Sequence, residues 1–392
     1  MHAYSLHSQP AAVKPAPTKY ALVPFSVFRP TQSIRAHRGS TVRTKSCDYV
    51  FGLPWTFRNG MGHRHDIGIL QTPAHCAGQI NVSEIGASLP CTLVYKLPRV
   101  LISNAIRTRP LGPSHWFKMS AAFRIGSHWR GYAGLKNIVV FGDSYSYVGY
   151  HSQAPPPTAS KPLGVATPGM PVNEAGHPNW VGHLITSYSH GQSNMLVYDY
   201  AVRGDTTPGV ARQITDQFLP TVGRRPRWAA WSPHNSLFVT WIGINDCRLL
   251  YTNTRNEITS IMATLFGAQE QLYTAGARNF LFIDVPPVHR SPVGSSAGSN
   301  DYSSIFVMWN EELRRALAAF AAAHGDATVL LFSSWDTFTR VLDNPAGYGF
   351  RPQDLNTMGG SIWFDHIHPT TRFASVIARD IAHFLNSQPV IA

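Results

Sequence analysis

The chain has 392 residues, 44% of them apolar and 14% charged, with a net charge of +12, a balance that supports a buried core and excludes a wholly disordered polymer. Residues 1–130 carry 16 Lys and Arg against 3 Asp and Glu, whereas residues 131–392 carry 17 against 18, so the basic excess sits in the first third and argues against a nucleic-acid or anionic-membrane partner for the rest. No run of about 18 apolar residues is present to span a membrane, and Cys47, Cys76, Cys91 and Cys247 lack the spacing of a zinc site or a disulfide framework.

Residues 1–130 are rich in Pro, Ser, His and Arg and keep no sustained period of two or of 3.6. They are expected to be a basic leader, either disordered or extraneous to the natural protein. Met1 opens no secretory signal, because His2, Tyr4 and Pro10 interrupt the apolar segment such a signal needs. Cys247 stands apart from the other three thiols and is expected to be a small buried residue.

From Leu135 onward the pattern becomes regular, and residues 131–392 are expected to form one domain. The run Asn137 to Phe141, closed by Gly142, reads as a buried strand, and comparable runs follow at Met195–Ala201, Leu237–Ile242, Asn279–Val285 and Ala327–Phe332. Helical patterns fall between them at Trp180–His190, Val210–Phe218, Glu257–Ala275 and Tyr302–Ala323. Alternation of this kind predicts an α/β fold of three α/β/α layers, with a mostly parallel sheet of about five strands. Active groups in such sheets gather at the carboxyl ends of the strands.

The strand ends carry the informative residues. The first closes on Gly142-Asp143-Ser144, which lifts the Ser144 hydroxyl out of the sheet. The second closes on Val202-Arg203-Gly204-Asp205, where Gly204 lets a backbone N–H approach a bound group. The third closes on Gly243-Ile244-Asn245-Asp246 and places the Asn245 amide on the same rim. Asp246 reads either as a helix cap or as a hydrogen-bond partner behind that rim. Near the last helix, Asp365 precedes His368 by three residues, close enough to orient its imidazole. A single serine after Gly-Asp is more often a helix cap. The ordered set of all four motifs favours chemistry.

In kind, order and spacing these residues resemble the four blocks of the SGNH (GDSL) hydrolase superfamily, whose eponymous Ser, Gly, Asn and His match Ser144, Gly204, Asn245 and His368. Tyr145 stands where the GDSL signature has Leu, which leaves the nucleophile assignment intact. The resemblance covers Leu135 onward and implies a flavodoxin-like strand order. It implies Ser144 as nucleophile, His368 as base oriented by Asp365, and an oxyanion hole made by the N–H groups of Ser144 and Gly204 with the Asn245 amide. No metal or organic cofactor is implied. Val285-Pro286-Pro287-Val288-His289, Ser334-Trp335-Asp336 and Trp363-Phe364-Asp365 are further similar to fungal acetylesterases of the sixteenth carbohydrate esterase family. That likeness implies a secreted enzyme with a small-molecule ester substrate, an acetylated plant cell-wall oligosaccharide; the chain is separately expected to be a monomer. A lipase or thioesterase of the same superfamily is the alternative, and an inactive carbohydrate-binding protein is the alternative from another class.

Two patterns compete with this reading. Gly294-Ser295-Ser296-Ala297-Gly298 satisfies the nucleophile-elbow pattern but lies in a Ser/Gly-rich stretch with no strand leading into it. His366 with His368, and His63 with His65 and Asp66, could begin a metal site, yet neither group has an evident further ligand. Asn81-Val82-Ser83 is a glycosylation sequon that matters only in a secreted protein.

Overall fold

The computed structural model describes residues 119–189, 195–250, 255–296 and 302–391, and the backbone of two short strands before them. The chain divides into two units, residues 1–105 and 106–392. In the first, Thr56–Arg58 pairs antiparallel with Arg64–Asp66. Asn81, Cys47, Cys76, Cys91 and the side chains of His63, His65 and Asp66 lie outside the described residues.

The second unit is built on a six-stranded sheet of order β1-β6-β5-β4-β2-β3. Its strands are β1 (Ala121–Arg124), β2 (Asn137–Gly142), β3 (Leu196–Asp199), β4 (Ser236–Trp241), β5 (Asn279–Ile283) and β6 (Thr328–Phe332). The five from β2 to β6 run parallel, and their order is the flavodoxin-like one that the resemblance implies. Each of β2, β4, β5 and β6 is buried along its whole length, because helices cover both faces and the pattern becomes a continuous apolar run instead of an alternation.

The sheet departs from the expected five strands through β1, which pairs antiparallel with β6, Ala121 opposite Leu331 and Ala122 opposite Leu330. That strand and the fully buried Trp129 fall inside the segment assigned to the leader. Residues 119–130 are part of the domain. The stretch Ala121-Ala122-Phe123-Arg124 is too short to show a period, and its partner lies some 200 residues away, so no local signal marks it.

Two groups of helices flank the sheet. On one side α1 (Trp180–Ser187) packs on α8 (Thr371–Asn386); α2 (Thr207–Arg212), α4 (Arg255–Thr274) and α6 (Tyr302–Ala323) pack in series. The remaining helices are α3 (Ile244–Leu249), α5 (Pro292–Ser296) and α7 (Ser334–Asp343). The α8 helix starts where the Thr370 hydroxyl accepts the Phe373 N–H, and it buries Phe373, Ala374, Ile377, Ala378, Ile381, Ala382 and Leu385. This spacing presents one apolar stripe. Strand order reverses between β2 and β4, which makes the carboxyl ends of these two strands the topological switch point where α/β sheets bind ligands. Ser144 and Asn245 leave the sheet on either side of it.

Candidate active site

Beyond β2 the chain makes a tight turn centred on Ser144. The Asp143 carbonyl accepts the N–H groups of Ser146 and Tyr147, both at 3.1 Å, and its carboxylate accepts the Tyr145 N–H at 3.0 Å. Gln213 braces the strand end from the side. Its amide accepts the Gly142 N–H at 2.9 Å and donates to the Gly142 carbonyl at 2.8 Å, as a neighbouring strand would. Gln213 begins the π-helical turn Gln213–Phe218 that continues α2, an irregularity that is frequent at functional sites.

The loop before α8 faces this turn. His368 Nε2 lies 2.7 Å from Ser144 Oγ, and His368 Nδ1 lies 2.8 Å from Asp365 Oδ2. The other oxygen of Asp365 accepts the backbone N–H groups of Ile367 and His368, each at 2.8 Å. Partial burial pushes this carboxyl upward, but the His368 ring and the two N–H groups outweigh burial and hold it below the ordinary carboxylate range. It therefore stays ionised beside the imidazole. Tyr145 ties the two halves together, since its buried hydroxyl donates to the Ile367 carbonyl at 2.6 Å and its ring lies 5.6 Å from that of His368. The residue that departs from the GDSL signature thus fastens the histidine loop to the serine turn. Nothing near Tyr145 in the sequence signals this contact.

The other two strand ends carry Gly204 and Asn245. Gly204 has φ +80°, and a Cβ placed there would meet nothing within 4 Å, so the position requires glycine for its backbone conformation and not for space. At Gly243, with φ +123°, a Cβ would come within 2.3 Å of the Trp309 ring, so both reasons apply. Asn245 follows in the first turn of α3 and donates one amide hydrogen to the Asp205 carbonyl at 2.9 Å. Its second amide hydrogen is available to a ligand. Asp246 is not the cap of α3, which is Gly243; its carboxylate accepts the Thr207 N–H at 3.0 Å. The pair Asn245 and Asp246 thereby fastens the Gly204 loop to the start of α3.

Ser144, Gly204, Asn245, Asp365 and His368 all leave the carboxyl ends of the parallel strands or the loop that faces them. The first, fourth and fifth form one hydrogen-bonded chain. His366 does not join it: its ring is exposed and stands 3.9 Å from Asp365. Gly294, Ser295 and Ser296 lie in α5, and the Ser295 hydroxyl donates to Asn356; Ala297 and Gly298 lie outside the described residues. Among the described residues no group of three or more His, Cys, Asp and Glu could hold a metal ion, and no helix is long and apolar enough to cross a membrane. Cys247 is a free, buried thiol.

Beside the Ser144 and His368 side chains, a cavity walled by Val172, Asn173, Trp180, Trp241 and Ile377 has room for about one water molecule. Beneath the turn, Asp143 is fully buried, and burial pushes its carboxyl up to about 7, opposed by the Tyr145 N–H and reinforced by Asp246 and Asp205. One of its oxygens has no partner.

Residues 138–381 match the family model of the GDSL-like lipases and acylhydrolases. An acetylesterase of Thermothelomyces thermophilus is 33% identical over 267 residues, which cover 63% of this chain and 87% of the relative. An acetylesterase of Hypocrea jecorina is 23% identical, covering 64% and 88%. A phosphatidylcholine-sterol acyltransferase of Aeromonas hydrophila is 24% identical, covering 58% and 68%.

Proposed function

The chain belongs to the GDSL-like lipase and acylhydrolase family and is a carboxylic ester hydrolase, and from that premise we propose that it removes acetyl groups from oligosaccharides through an acyl-enzyme on Ser144. The observation that carries this reading is the continuous chain Ser144–His368–Asp365 at 2.7 and 2.8 Å.

In the proposed mechanism, His368 Nε2 takes the Ser144 proton as Oγ attacks the ester carbonyl carbon, and ionised Asp365 stabilises the imidazolium. The tetrahedral oxyanion receives hydrogen bonds from the Ser144 and Gly204 N–H groups and from the free Asn245 amide hydrogen. Collapse breaks the carbon–oxygen bond to the sugar, whose oxygen takes the proton from His368. A water then gives a proton to His368 and attacks the acetyl-serine. Acetate leaves, and Ser144 recovers its proton. The acetylesterase relatives support a short acyl group.

Rates on nitrophenyl acetate, butyrate and octanoate, with mass spectrometry of the quenched enzyme, test this reading. Acetate should be fastest, and a +42 Da adduct should form that Ser144→Ala abolishes. A preference for octanoate would make the enzyme a lipase, and an adduct that survives in Ser144→Ala would place the nucleophile elsewhere.

A further inference from the structure

The rim of the site holds a positively charged side chain that the mechanism does not use. Arg203 directly precedes Gly204 and is exposed, yet it is not free to wander. Its guanidinium lies 4.6 Å from the centroid of the Tyr147 ring, and its Nη2 donates to the Met170 carbonyl at 2.6 Å. Tyr147 is itself placed by the Ser144 turn, through its N–H to the Asp143 carbonyl. Met170 is placed by its N–H to the Val148 carbonyl at 2.9 Å and packs over Gly149, where a Cβ would come within 2.8 Å of its methyl group. Met170 is 60% exposed. Among the described residues no acidic side chain pairs with Arg203, so most of the five guanidinium N–H groups remain for a ligand.

A fixed fan of donors next to an exposed apolar side chain suits a particular kind of molecule. A pyranose presents ring oxygens and hydroxyls at its edge and C–H groups on its face, whereas an acyl chain offers nothing to a guanidinium. Stacking on Tyr147 lowers the ordering cost of the arginine, since the side chain is held before the ligand arrives. The position also fits the chemistry: Arg203 flanks the Gly204 donor to the oxyanion, and the stretch from Met170 continues into Val172 and Asn173 of the small cavity.

We propose that Arg203, held by Tyr147 and Met170, forms the subsite for the alcohol portion of the substrate and binds the sugar ring that carries the acetyl ester. This inference rests on the oligosaccharide reading above. The subsite distinguishes substrates by their leaving group and not by their acyl group.

The test compares the wild type, Arg203→Ala, Arg203→Lys and Tyr147→Leu on acetylated xylotriose and on nitrophenyl acetate. Arg203→Ala should raise KM for acetylated xylotriose about tenfold, the size expected for a lost charge-assisted hydrogen bond. Its turnover of nitrophenyl acetate should change less than about twofold. Arg203→Lys should recover only part of the loss, because an ammonium cannot stack and donate in the same way, and Tyr147→Leu should resemble Arg203→Ala in sign. Equal losses on both substrates would overturn the subsite and make Arg203 a brace for the Gly204 loop; unchanged kinetics on acetylated xylotriose would overturn it too. A wild type that cleaves nitrophenyl acetate but no acetylated sugar would defeat the oligosaccharide reading, and the subsite with it. That failure shows in the wild type, whereas failure of the subsite alone shows only in the variants.

Discussion

At the scale of the residue, the two histidines near Asp365 make opposite predictions from nearly the same sequence position. His368 bridges Asp365 and Ser144, and His366 is exposed and reaches neither the serine nor a close hydrogen bond to the aspartate. His368→Ala should lower turnover by about four orders of magnitude or more, and His366→Ala by no more than about twofold. Equal losses in folded proteins would reassign the base. Asn245 holds the Asp205 carbonyl with one amide hydrogen, leaving the other for the proposed oxyanion. Asn245→Ala should therefore cost about a hundred- to a thousand-fold in kcat with little change in KM. Asn245→Asp should be at least as damaging, since a carboxylate of nearly equal volume would face both the Asp205 carbonyl and the developing charge. An Asp variant with near wild-type kcat at neutral pH would make Asn245 a packing residue. These residues were legible in the sequence because each ends a strand or opens a helix in a fixed order. The contacts of Tyr145, Gln213 and Arg203 were not, because their partners lie 222, 71 and 33 residues away.

At the scale of the element, the five parallel strands were legible as continuous apolar runs, whereas the antiparallel edge was hidden by its four-residue length and its Pro- and Arg-rich surroundings. The boundary between leader and domain moves accordingly, and truncation tests it. A chain beginning at Met119 keeps β1 and should retain full esterase activity, because none of the candidate site residues precedes it. A chain beginning at Gly131 loses β1 and the fully buried Trp129. Removing a buried tryptophan alone costs about 3–5 kcal/mol, a large share of the roughly 5–15 kcal/mol that stabilises a typical domain. It also bares the β6 edge for aggregation. The second chain should be insoluble or melt far below the first by circular dichroism. Equal melting temperatures would show β1 to be dispensable.

At the scale of the whole molecule, buried carboxyls give stability a definite pH dependence. Burial pushes Asp143 up to about 7, Asp246 and Asp284 up to about 6, and Asp199 well above its usual value. Each keeps its proton in the folded protein where the unfolded chain has released it, so stability is fullest below the ordinary carboxyl value and declines as pH rises through about 7. Asp365 acts in the reverse sense: held low, it adds stability above the ordinary value that is lost as pH falls toward its folded value. The melting temperature should therefore decrease from pH 5 to pH 8, and Asp143→Asn should flatten that decrease. A rising profile over the same range would contradict the burial argument. The chain also builds its site in a fixed order, with Ser144 and His368 224 positions apart. A ribosome delivers the serine, the Gly204 loop and Asn245 long before it delivers Asp365 and His368. During that interval the proposed nucleophile has no base, and a premature stop codon anywhere between Asn245 and Asp365 makes the condition permanent. On the proposed mechanism the cell receives a working hydrolase only from a chain translated past His368.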